Sequence, residues 1–135
     1  MKLFAIGISD NKVSIAMLVL RLVSGLTMAF SHGLGKLENY SKAVETFPDP
    51  FGAGSQLSLI LAIFAEFFCG IFVAFGFATR FTVIPLIITM ATAFFIIHSG
   101  DAFGDKEMSF IYLAMYLVIL IIGPGKYSID KLISK

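Results

Sequence analysis

The sequence contains no tryptophan, a single cysteine and few charged residues. The lone Cys69 excludes an internal disulfide and any paired-thiol redox or zinc motif, and it reads as a small packing residue. Without tryptophan, anchoring at a membrane–water interface falls to the four tyrosines and to Lys and Arg. Charged residues are 14% of the 135, against about 25% in an average soluble domain. The basic residues are scattered and the net charge is +1, which argues against a nucleic-acid partner. What is present instead is apolar: 58% of residues are hydrophobic and 15 are Phe. A soluble fold of this size has too little interior to hide that much apolar surface, so lipid is the expected solvent.

A membrane span needs about 20 mostly apolar residues. Four runs meet this, at 13–31, 57–78, 81–97 and 108–125; the first is broken only by Arg21 and the second only by Glu66. Gly123-Pro124-Gly125 must end the fourth, and Pro85 falls near the first turn of the third. The pattern predicts an all-α integral membrane protein. Its 135 residues form one transmembrane domain, an antiparallel up-down four-helix bundle. The first loop, 33–56, holds Pro48, Pro50, Gly52 and Gly54 and reads as a structured turn, with Leu37 to Phe47 as a short interfacial helix. The first run follows Lys2 and Lys12, as a signal peptide's would, but ends in MAFSHGLGK without a small-x-small cleavage site, so a retained span is expected. Lys2, Lys12, Arg80, Lys126, Lys131 and Lys135 outnumber Lys36, Lys42 and Lys106, which places both termini in the cytoplasm and the first and third loops outside.

Arg21 lies ten residues before Ser31, and Glu66 nine after Leu57. At about 1.5 Å per residue both sit about 14–15 Å from the outer interface, near the bilayer centre. A lone charge there costs about 2.5–3.5 kcal/mol. Matching depth on adjacent helices predicts an Arg21–Glu66 pair, a protonated Glu66 being the alternative. Arg21 shares a helix face with Ser24, Gly25, Met28 and His32. His98, Glu107, His32 and Lys36 would then ring a cavity floored by the pair, either a ligand-binding and proton-handling site or a structural clamp. No HxxxH spacing supports His32 and His98 as metal ligands. Tyr112 and Tyr116, one turn apart, read as packing.

Three segments together resemble the DoxX family of small four-helix bacterial membrane proteins. LVLRLVSGLTMAFSHGLGKL carries Arg21, His32, Gly33 and Lys36 in the family's R…HGxxK arrangement. AEFFCGIFVAFGFATR carries Glu66, Gly70, Gly76, Thr79 and Arg80 in its E…G…G…TR pattern. GPGKYSID carries Gly123, Pro124, Gly125, Tyr127 and Asp130. Members often have two glycines where this chain has Cys69-Gly70. The resemblance implies a bacterial inner-membrane location and an association with membrane redox complexes, one member being similar to the small subunit of a thiosulfate:quinone oxidoreductase. It implies no activity of its own. The residues hold no catalytic motif and no haem, flavin or iron–sulfur signature.

Three functions follow as expectations. The first is an accessory subunit of a redox system that binds a quinone-like molecule, with a soluble or membrane redox partner. The second is a small-solute or proton transporter or channel, which four helices could form as a homo-oligomer. The third is a scaffold whose buried charges are structural.

Overall fold

The apolar runs fold as helices, and the computed structural model, which describes residues 3–134, holds no strand among them. Lys2 and Lys135 of the charge tally lie outside the described residues.

Helix α1, Asp10–Glu38, starts at Ser9, whose Oγ accepts the Lys12 N–H at 3.2 Å, with Asp10 in the first turn against the helix dipole. It does not stop near Ser31 as the hydropathy suggested. Met28–Gly33 widens to a π turn, and the helix continues to Glu38. Gly33 therefore serves close approach and not a loop: a Cβ there would lie 2.5 Å from the Phe67 backbone nitrogen. Lys36 consequently stands on a helix. The short helix α2 is Tyr40–Thr46, none of it buried.

Helix α3, Ser55–Phe75, contains a second π turn at Phe64–Cys69 and ends at Gly76 in the left-handed region, φ 70°. Helix α4, Thr79–Ile97, starts two residues earlier than expected, which moves Pro85 into the helix interior, and it closes on a third π turn at Ala93–Ile97. Helix α5 is Phe103–Ile122; Gly123 ends it as the Gly-Pro-Gly motif requires. Helix α6 is Ile129–Ile133.

Among the described residues three helices, α1, α3 and α4, are long and apolar enough to cross a membrane. The fourth long helix, α5, carries Asp105, Lys106 and Glu107 in its first turns and is free of charged residues only from Met108 on. It packs along α4 and touches α1. The common core is built from Met28, Cys69, Val73, Leu86, Tyr116 and Ile119, with Cys69 filling space as expected. Phe30, Phe81 and Phe95 point outward, where lipid is the solvent that suits them. Where α1 crosses α3, a Cβ on Gly70 would stand 2.9 Å from the Gly25 carbonyl oxygen. Only small residues let two helix backbones approach this closely.

The C-terminal segment ties the termini end together. Asp130 accepts from the Ala78 N–H at 2.7 Å, the Thr79 N–H at 2.9 Å and the Thr79 hydroxyl at 2.7 Å, capping the N-terminus of α4. Arg80 does not meet Asp130. It donates to the Leu120 and Ile122 carbonyls at the C-terminus of α5, where a cation suits the dipole. Tyr127 donates its hydroxyl to Asn11 Oδ1 at 2.6 Å. Burial pushes the Asp130 carboxyl up, but the Thr79 and Ala78 donors and the Arg21 charge outweigh it, leaving the group below its ordinary value. A carboxyl depressed in the folded state contributes stability that is complete above its unfolded pKa, about 4, and is lost as pH falls through the lower folded value. The thermal midpoint in detergent should therefore fall on acidification below about pH 4, and Asp130→Asn should flatten that fall. An unchanged acid limb in Asp130→Asn would assign it to other carboxyls.

Candidate functional site

The Arg21–Glu66 pair expected from matching depth does not form. Arg21 is fully buried, and its Nη2 donates to the Tyr127 carbonyl at 2.6 Å. Its guanidinium lies against Gly76 and Ser128. Nε and Nη1 have no hydrogen-bond partner among the described residues. Glu66 accepts from Lys36 Nζ at 2.7 Å instead. The reason is register. α1 runs on past Ser31 to Glu38, and Gly25 faces Gly70 and Ala74 while Gly33 faces Phe67, so Arg21 and Glu66 stand at different levels. A helical side chain also leans toward its own N-terminus, which on antiparallel helices carries the two charged ends further apart. Arg21 reaches the termini end and Glu66 the loop end. Gly76, which marks the guanidinium's level, is ten residues past Glu66 on α3, about 15 Å of helix rise.

Glu66 and Lys36 face a cavity of about 550 Å³ at the loop end. That lies inside the range of about 300–1,000 Å³ found for small-molecule sites. Its walls are mostly apolar, from Met28, Leu61, Ala62, Ile88, Met90 and Ile97. All three π turns contribute lining residues: Met28 and His32, Glu66, and Ala93 and Ile97. Such turns recur at functional sites because they displace side chains that a regular helix would stack.

Of the six residues singled out in sequence, His32, Lys36, Glu66 and His98 line this cavity. Arg21 is at the other end, and Glu107 is exposed and outside the lining. His32 packs edge-on against Tyr112, 5.8 Å between centroids, and Tyr112 stacks on Tyr116 at 5.9 Å. The Tyr116 hydroxyl donates to the Ser24 carbonyl at 3.0 Å, closing the cavity floor. Tyr112, read as packing, thus also lines the site. At the rim, His98 Nδ1 is 2.8 Å from Asp101 Oδ2. Among the described residues no three His, Cys, Asp or Glu side chains converge as a metal site.

Sequence reading missed the roof. Phe47, Pro48, Pro50 and Phe51 cover the cavity from the α2–α3 loop, and Asp105 and Lys106 enter from α5. The roof is held by Asp49, which accepts from the Ala53 N–H, the Gly54 N–H and the Ser58 hydroxyl, each at 2.9 Å. The Gly54 N–H above all keeps the Asp49 carboxyl below its ordinary value, with Ser58 and Ala53 assisting. The proline–glycine chemistry of this loop was legible, but its place over the cavity was not.

The model of the DoxX family, described as DoxX, matches residues 16–99. The chain is 32% identical over 127 residues to the inner membrane protein YqjF of Escherichia coli (strain K12), covering 90% of this chain and 94% of that one. It is 27% identical over 114 residues to an uncharacterized protein of Haemophilus influenzae, covering 78% and 76%. No solved structure matches. The matched stretch includes Arg21, His32, Lys36, Glu66 and Arg80, so both the cavity's ion pair and part of the termini-end lock fall within it. The chain is a bacterial inner membrane protein and belongs to the DoxX family.

Proposed function

We propose that this protein binds a small, uncharged, quinone-like molecule in the cavity at the loop end and serves as an accessory subunit of a membrane redox system. The observation that carries the reading is the cavity itself: apolar walls of the right volume around the half-buried ion pair Lys36–Glu66. In this reading α5 is the fourth span of an up-down bundle, all within one domain. Both termini are cytoplasmic, and the cavity opens toward the outer face. His32, Lys36, Glu66, Tyr112 and His98 contact the ligand. Arg21, Gly76, Arg80 and Asp130 hold the closed end. Electrons would come from a partner protein, since the chain carries no redox motif of its own.

A binding site is favoured over a path across the membrane. Below the cavity the interior is filled by the buried side chains of Met28 and Tyr116, and then by the buried cation Arg21. A fixed cation is a barrier to protons and other cations. The scaffold reading gives no role to the open volume.

The test is saturable binding of a short-chain benzoquinone to purified protein, compared with Ala93→Phe, which fills the cavity from a partly buried wall position. Binding in the parent and its loss in a folded Ala93→Phe variant is the expected result. Absence of saturable binding, or equal binding by the filled variant, overturns the reading.

A further inference from the structure

The Lys36–Glu66 pair is lopsided. Only Oε1 of Glu66 receives the ammonium, at 2.7 Å, and Oε2 accepts from no described residue. The Glu66 side chain is 6% exposed and that of Lys36 28%. The carboxylate is thus held inside the cavity while the ammonium is partly met by solvent. The ionic side chains lining the cavity balance, Lys36 and Lys106 against Glu66 and Asp105. A ligand bearing net charge would unbalance them at low dielectric, where that is costly. Glu66 Oε2 is thus an acceptor that the lining leaves without a described partner, and a carboxylate oxygen only accepts.

We propose that the site selects the reduced, dihydroxy form of its ligand over the oxidised, dicarbonyl form, with Glu66 as the residue that sets the preference. This rests on the small-molecule reading above and goes further by naming which redox form is held and by what. A hydroquinone O–H donates to Glu66 Oε2 and satisfies a buried acceptor. A quinone carbonyl offers that atom no proton, and two acceptors facing each other repel. Lys36 serves either form, because an ammonium carries three donors and uses one on Oε1. Its role is to hold the carboxylate in place. His32 and Tyr112, packed edge-on at 5.8 Å, wall the same cavity.

Calorimetric titration of the purified protein with a short-chain benzohydroquinone and, separately, its benzoquinone tests this. A hydrogen bond to an ionised acceptor leads to an expected preference for the hydroquinone of about tenfold or more. Glu66→Gln replaces the pure acceptor with an amide that also donates. It should remove the preference by weakening hydroquinone binding about tenfold while changing quinone binding little. Equal binding of the two forms by the unaltered protein overturns the proposal and leaves the cavity reading standing, and this arm needs no variant to fold. Equal weakening of both forms by Glu66→Gln overturns it too, since Glu66 would then shape the site without selecting. Failure of both forms to bind overturns this proposal and the small-molecule reading together.

Discussion

A Gly76→Ala variant should lose about 2–5 kcal/mol of stability, because two penalties fall on one methyl group. Gly76 has φ 70°, a left-handed conformation that costs a residue with a Cβ about 1–2 kcal/mol. The new Cβ would also stand 2.5 Å from Ser128 Cβ and run into the Arg21 guanidinium. These neighbours belong to the C-terminal segment and to α1, so relief requires separating elements that Arg21, Asp130 and Tyr127 hold together. Overpacking of this kind costs about 1–3 kcal/mol more. Gly52 is the matched control, with φ 72° and nothing within 4 Å of its would-be Cβ. Gly52→Ala should carry only the backbone term. Thermal unfolding in detergent separates the two, and equal losses would show that the Gly76 contact does not matter.

Double-mutant cycles should show that Glu66 is coupled to Lys36 and not to Arg21. Lys36→Met leaves a buried carboxylate without its cation, at a cost of about 1–3 kcal/mol. Adding Glu66→Leu should recover part of that, because two apolar residues strand nothing. The coupling energy expected for touching groups is about 0.5–3 kcal/mol. Arg21→Met and Glu66→Leu should instead add within about 0.5 kcal/mol, as sites with separate partners do. Chemical unfolding of the three single and two double variants in one detergent measures both cycles. Strong Arg21–Glu66 coupling would restore the mid-membrane pair and remove the geometric basis for the cavity's polar end.

Much of the architecture was legible because hydropathy and helix-ending signals act locally. The long apolar runs and the stop at Gly123 both follow from residues near one another in the chain. Helix ends were less legible. Glycines at 33 and 35 looked like a loop, yet α1 continues, since Gly33 is needed for contact with Phe67 and a π turn absorbs the extra residue. Of the candidate site, Glu66 was found as the lone charge in its apolar run, and His32, Lys36 and His98 as polar groups at the outer helix ends. The roof was missed because Phe47 and Phe51 carry no chemistry that distinguishes cavity lining from lipid contact.

The sequence alone determined that this chain is helical and that lipid is its solvent. Both depend on composition and local pattern, which no partner alters. The matching depth of Arg21 and Glu66 did not hold, because it rested on a helix end at Ser31 that the structure moves to Glu38. The tertiary structure decided which groups the two charges meet. Arg21 finds a carbonyl 106 residues away, at Tyr127, and Glu66 finds Lys36. Register between the antiparallel helices is fixed where Gly25 meets Gly70 and Gly33 meets Phe67, and that register carries the two charges to opposite ends.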